Sequence, residues 1–177
     1  MRCSFLDYET KDIEWEDITD FSVLVAYQDL ADARRAKGFL ERMAAALSPE
    51  DSDHLPCAMW KFQENMAPLQ LEIAAEQAAL AHVIFIAAQE RPVVPGVLAD
   101  WVNLWIRKEA GYPRALVALL ERPERAEERP PGIECYLREA ARKGGVAFFA
   151  DGRNEGANEA RGANALFDGI FDQNISP

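Results

Sequence analysis

The sequence predicts an open α/β fold: a three-layer, doubly wound five-stranded parallel sheet with helices on both faces. Short, nearly continuous apolar segments at 21–27, 55–62, 83–87, 115–120 and 146–150 alternate with longer amphipathic segments. Apolar segments of this length are typical of parallel strands buried on both faces. Strands that alternate with helices along the chain indicate parallel crossovers. Because these crossovers are right-handed, five strands favour the order 2-1-3-4-5.

Four helices are expected between these strands. Asp29 or Asp32 can cap the first, which continues to about residue 47, and Asn65 is expected to cap the second, with Pro68 in its first turn. The third is expected over 95–110 and the fourth over 132–143. Apolar residues at helical spacing are expected to face the sheet. They are Ala36, Leu40, Met43 and Leu47 in the first helix; Leu71, Ala74, Ala75, Ala78 and Ala79 in the second; Leu98, Trp101, Val102 and Trp105 in the third; and Ile133, Tyr136, Leu137 and Ala140 in the fourth.

Length and composition indicate one domain with two appendages. The 177 residues suit a single core, and the sequence divides into an acidic N-terminal arm at 1–20, an α/β domain at 21–151 and a flexible tail at 152–177. The net charge is −11 and no dense Lys/Arg cluster occurs, so neither nucleic acid nor an anionic membrane is an expected partner. Without an apolar run of membrane-spanning length or a secretory signal, we expect a cytoplasmic protein.

One stretch of the sequence resembles a known family. The apolar strand at 83–87, the Pro95-Gly96 pair, Leu98 and Asp100-Trp101 are similar to a pattern in the flavodoxin-like NADPH-dependent FMN reductases, over about a seventh of the chain. The resemblance implies a flavodoxin-like fold, and in that family FMN is the cofactor.

The sequence departs from that family where the flavin binds. The family holds the FMN phosphate with a Ser/Thr/Gly-rich loop after the first strand, whereas this chain has Gln28-Asp29-Leu30-Ala31-Asp32. Two carboxylates there would repel a phosphate. The family's aromatic-Asn-Gly corner is replaced by Gln89-Glu90-Arg91-Pro92. The resemblance therefore supports the fold, and no cofactor is expected, with FMN kept as the alternative.

A ligand crevice is expected at the carboxyl ends of the first and third strands, the usual binding position in open α/β sheets. The candidate binding residues are Tyr27, Gln28, Asp29, Gln89, Glu90 and Arg91, among which a carboxylate–guanidinium pair is expected. Asp51, Asp53 and His54 are interpreted as a solvated loop rather than metal ligands. His82 precedes the third strand, where a structural hydrogen bond is expected.

The sequence contains no Gly-x-Ser-x-Gly elbow and no Gly-rich phosphate loop. We therefore expect a small-ligand-binding or protein-interaction module without a recognisable catalytic apparatus. The alternative is a divergent flavin-dependent NAD(P)H oxidoreductase, so whether the protein is an enzyme stays open. Trp101 and Trp105 are four residues apart on the third helix. They are interpreted either as core packing or as the contact of a homodimer.

Overall fold

The structure, a computed structural model, describes residues 22–47, 56–108, 114–121 and 132–150. Its elements follow in the order β1 (Val23–Tyr27), α1 (Leu30–Leu47), β2 (Cys57–Lys61), α2 (Pro68–Ala79), β3 (Val83–Gln89), α3 (Gly96–Trp105), β4 (Ala115–Glu121), α4 (Gly132–Gly144) and β5 (Ala147–Ala150). The strands form a five-stranded sheet in the order β2-β1-β3-β4-β5. The predicted fold class and strand order are therefore confirmed.

All neighbouring strands run parallel with little offset. Val23 of β1 pairs with Cys57 on one side and Val83 on the other, and Val83 in turn pairs with Ala115. Because parallel strands in this register end together, the segments that follow β1, β2, β3 and β4 lie at one edge of the sheet. We call this the carboxyl edge.

The core lies on both faces of the sheet. Alternate residues of β3 face opposite sides of the sheet. Ile84 and Ile86 belong to the hydrophobic cluster that contains residues of α2, α3 and α4, and Phe85 belongs to the hydrophobic cluster that contains residues of α1. This alternation is the period of a β-strand. Burial on both faces explains why the strand sequences are apolar throughout. None of the described helices has the length and apolar character required to cross a membrane.

Two predicted helix boundaries are wrong. The second helix begins at Pro68 with Ala67 at its N-cap, not with Asn65. The Gln70 side-chain oxygen accepts the Ala67 N–H at 3.1 Å. Gln70, inside the helix, therefore stabilises the helix start in place of Asn65. The third helix ends at Trp105 rather than near residue 110, where the Lys108 N–H bonds to the Trp105 carbonyl at 3.0 Å in a tighter turn.

The predicted buried faces agree well with the structure. Ala36, Leu40 and Met43 of α1 and Leu98, Trp101, Val102 and Trp105 of α3 are buried. In α4 the buried apolar positions are Ile133, Leu137 and Ala141, while Tyr136 and Ala140 are half-buried. The Leu47 side chain, the arm at 1–20 and the tail at 152–177 lie outside the described residues.

Candidate functional site

A crevice opens at the carboxyl edge between β1 and β3. The order β2-β1-β3 makes this the point where the sheet's winding reverses, the position at which open α/β sheets bind ligands. About 240 Å³ of space lies between its walls and is continuous with solvent. The walls are mainly apolar, and their side chains come from both strands, from the segment after β2 and from the start of α3: Ala26, Phe62, Ile86, Ala88, Val97 and Leu98.

Gln28 is the polar residue among the crevice walls. It directly follows β1, in which Val23, Val25 and Tyr27 face α1 while Leu24 and Ala26 face the opposite layer. The side-chain oxygen of Gln28 is buried, and no group in the described part of the chain donates a hydrogen bond to it. A buried acceptor without a protein donor costs about 1–3 kcal/mol, so its presence beside a crevice needs a physical reason.

Tyr27 contributes to the crevice through its main chain. Its ring packs in the cluster on the α1 face, and burial raises the pKa of its phenol. The Tyr27 carbonyl accepts the Phe62 N–H at 2.8 Å, which fixes the start of the segment after β2. The Phe62 ring lies 4.7 Å from the Trp101 ring, centroid to centroid. The Phe62 wall is thus held by a main-chain bond at its backbone and by the core at its ring.

The start of α1 is occupied by two carboxylates of the chain itself. The exposed Asp29 accepts the Asp32 N–H at 2.9 Å, and Asp32 accepts the Asp29 N–H at 3.3 Å. These reciprocal bonds satisfy N–H groups that a helix start otherwise leaves open. The predicted capping role of Asp29 and Asp32 is therefore confirmed.

Sequence reasoning missed Arg35, which joins α1 to the ends of β3 and β4. Its guanidinium donates to Asp32 at 2.7 Å, to Glu121 at 2.8 Å, and to the carbonyls of Ala88 and Leu119 at 3.1 and 3.0 Å. Burial raises the pKa of Asp32, and the charge of Arg35 offsets part of that rise. The i,i+3 spacing of Asp32 and Arg35 was the available signal, although it does not reveal the two carbonyl partners.

Glu90 caps a helix that lies far from it in sequence. Its carboxylate accepts the Ile133 N–H at 2.9 Å and the Glu134 N–H at 3.3 Å, both at the start of α4. The helix approaches so closely that a Cβ on Gly132 would overlap the main chain of Arg91 and Pro92. Glu90 and Gly132 together hold the segment after β3 against α4.

The two remaining predicted site residues are exposed. Gln89 ends β3 with its side chain in solvent, and Arg91 is exposed in the following segment. Arg91 forms no ion pair with Asp29 or Glu90, all three of which are described, so the expected carboxylate–guanidinium pair is not formed. The physical reason is that both carboxylates bind helix N–H groups instead. All six predicted residues lie at the carboxyl edge, and Tyr27 and Gln28 are the two of them that line the crevice.

The start of α3 borders the crevice without a side-chain cap. Pro95 occupies its N-cap position and has no side-chain acceptor. Val97 and Leu98 in the first turn line the crevice. First-turn N–H groups have no acceptor within a helix. The crevice therefore combines an acceptor on Gln28 with the donor end of a helix.

His82 has the structural role that was expected. Its Nδ1 accepts the Ser22 N–H at 3.2 Å, at the edge of the sheet opposite the crevice. Burial lowers the pKa of the ring, which favours the neutral imidazole that this bond requires. The loop with Asp51, Asp53 and His54 lies outside the described residues. Within residues 22–47, 56–108, 114–121 and 132–150, no three His, Cys, Asp or Glu side chains cluster as metal ligands do.

Trp101 and Trp105 belong to the core. Both are 0% exposed within the single subunit, and their ring centroids lie 5.7 Å apart. Neither side chain has exposed surface for a partner subunit to contact, which favours the core interpretation of these residues over the interface interpretation. The homodimer itself stays a prediction.

Comparison with known proteins identifies the class of fold. No protein-family model matches the chain, and no curated protein matches its sequence. A solved structure of a short-chain flavodoxin associated with a non-canonical PDU bacterial microcompartment is similar, with a TM-score of 0.59 and 9% identity, over 86% of this chain and 97% of that one. The protein thus has the flavodoxin-like fold.

A structure of CapF with the inhibitor 3-isopropenyl-tropolone aligns with a TM-score of 0.35 and 17% identity. This alignment covers 72% of this chain and 29% of that one.

Proposed function

We propose that this protein binds a small molecule in the crevice between the carboxyl ends of β1 and β3. The observation that carries the proposal is the buried Gln28 oxygen, an acceptor without a described protein donor, beside apolar walls. A few polar groups among apolar walls are the usual composition of a ligand site. A ligand that donates an N–H or O–H to Gln28 would satisfy this oxygen and bury apolar surface in the same step.

The size of the crevice limits what enters it. The 240 Å³ between its walls includes open solvent, so the crevice is shallow and encloses little of a ligand. We therefore expect only a small group of the ligand to enter the crevice. Leu30, Leu69 and Val93 lie in the segments that follow β1, β2 and β3 and are 60%, 65% and 77% exposed. We propose that the rest of the ligand contacts exposed apolar side chains such as these.

A fragment screen by NMR tests the proposal. Amide chemical shifts of the wild type would be recorded with single-ring fragments that carry an N–H or O–H donor. We expect shifts at Gln28, Phe62 and Leu98, and about three- to tenfold weaker binding to Gln28→Leu, the worth of one net hydrogen bond. Gln63→Leu, at an exposed position nearby, is the matched control and should bind like the wild type. Equal affinity of both variants, or shifts remote from the crevice, would refute the proposal.

A second candidate is the flavin-dependent oxidoreductase. The fold shared with a short-chain flavodoxin favours it, although fold alone does not determine function. Titration with FMN, followed by flavin absorbance and by oxidation of added NADPH, distinguishes the candidates. Saturable FMN binding with NADPH oxidation supports the reductase, and neither is expected if the crevice takes a small non-flavin ligand.

A further inference from the structure

We infer that Asp29 and Glu90 determine specificity: they close the starts of α1 and α4 to anions, so the crevice ligand places no phosphate at either helix start. This inference rests on the proposed small-molecule function and adds where the ligand carries no charge. It depends on how three helix starts at this edge are occupied, because a helix start is the usual place where a protein binds a phosphate.

The first helix start is that of α1, next to Gln28 in the chain. Its N–H groups at positions 29 and 32 already bond to the carboxylates of Asp32 and Asp29. A phosphate here would have to displace Asp29 and then lie against Asp32, which is 1% exposed and cannot turn away into solvent. The occupied N–H groups and the negative charge of Asp32 therefore exclude a phosphate from the start of α1.

The second helix start is that of α4, beside the segment after β3. Both oxygens of Glu90 occupy it, through the Ile133 and Glu134 N–H groups. Gly132 packs directly against the main chain of Arg91 and Pro92, so the start of α4 lies close to the Glu90 cap. An anion would have to replace Glu90 in a half-buried position.

The Arg35 guanidinium at the carboxyl edge does not offer its positive charge to an anion. Arg35 has charged partners in Asp32 and Glu121, and the nitrogen that donates to Asp32 also contacts the carbonyls of Ala88 and Leu119. The start of α3, where Pro95 provides no cap, is the helix start left open beside the crevice. Its first-turn N–H groups can donate to an acceptor on the ligand, placed near the donor that Gln28 requires. The matching ligand presents a donor beside an acceptor, as amides and lactams do, and places no phosphate at the start of α1 or α4.

Inorganic phosphate is the probe for this inference, because it needs no knowledge of the ligand. Amide shifts would be followed in the wild type, in Asp29→Gly/Glu90→Ala, and in the control Glu41→Ala/Glu72→Ala. The control removes the same two charges from exposed positions on α1 and α2. We expect no saturable shift in the first turns of α1 and α4 of the wild type or the control. The Asp29→Gly/Glu90→Ala variant should bind phosphate there at least about tenfold more tightly.

Each result decides between the two claims. Saturable phosphate binding at these turns in the wild type, or an equal gain in the control, would overturn the inference and leave the fragment-binding function standing. A fragment screen without crevice hits would instead overturn the proposed function. Any fragment that binds the crevice is finally compared with its phosphate monoester. We expect the monoester to cause no saturable shift in the first turns of α1 and α4 of the wild type, and saturable shifts there would contradict the inference.

Discussion

Two glutamines of this protein should respond in opposite directions to the same substitution. The Gln77 oxygen accepts the Trp60 indole N–H at 2.7 Å, whereas the buried Gln28 oxygen has no donor in the described part of the chain. Gln77→Leu leaves the indole N–H without its acceptor and should lower the free energy of unfolding by about 1–2 kcal/mol. Gln28→Leu removes a buried acceptor and adds apolar surface, so it should raise that free energy by about 0.5–1 kcal/mol.

Thermal unfolding of both variants and the wild type measures this difference. For a chain of this length each 1 kcal/mol shifts the midpoint temperature by about 2–4 °C. Gln77→Leu should therefore unfold about 2–8 °C below the wild type and Gln28→Leu about 1–4 °C above it. A gain in stability on removing a polar group from a binding site is expected where function opposes stability. If Gln28→Leu loses as much stability as Gln77→Leu, the Gln28 oxygen has a partner and the reasoning is refuted.

The remaining predictions concern the caps and the core. Glu90→Ala should lower the free energy of unfolding by about 1–2 kcal/mol in urea titrations, because it opens the start of α4, and a loss below about 0.3 kcal/mol would contradict its capping role. Gly132→Ala should cost about 1–3 kcal/mol in the same assay, since its Cβ would overlap main chain at Arg91 and Pro92. Trp101→Leu should lower the free energy of unfolding by about 2–4 kcal/mol and leave the sedimentation coefficient of the folded protein unchanged. A change of oligomeric state without a loss of stability would support the interface interpretation instead. Burial raises the pKa of Asp32, so folding favours its protonated form. The stability that this proton contributes is present below the pKa of Asp32 in the unfolded chain and is lost as the pH rises through the pKa in the folded protein. The free energy of unfolding of the wild type relative to Asp32→Asn should therefore be lower at about pH 7 than at about pH 4.

The pattern of apolar residues along the chain predicted most of the fold. Continuous apolar segments such as the one in β3 identify strands buried on both faces, and together with the crossover rule they favour one strand order. Small residues of α2 and the tryptophans of α3 were placed on the correct faces for the same reason. Helix ends were less accurate, because Gln70 and the turn at Lys108 decide them through bonds that a pattern of apolar residues does not show.

The location of the crevice was predictable, whereas the contacts of the side chains around it were not. Strand ends place Gln28 and Glu90 at the same edge, and the sequence supplies the strand ends. The partners of Glu90 are 43 and 44 residues away, on a helix whose approach depends on Gly132. Arg35 likewise reaches carbonyls 53 and 84 residues away. Contacts of this kind depend on tertiary packing, so local sequence patterns could identify charged residues at the edge but not which of them remain available to a ligand.

A crystal structure of the protein with the tightest fragment tests the central claim most directly. The quantity to measure is the distance from the Gln28 side-chain oxygen to the nearest ligand donor atom. The account predicts about 2.7–3.2 Å, with the ligand ring against Phe62 and Leu98. A fragment that binds elsewhere, or that turns an apolar face toward Gln28, would contradict it.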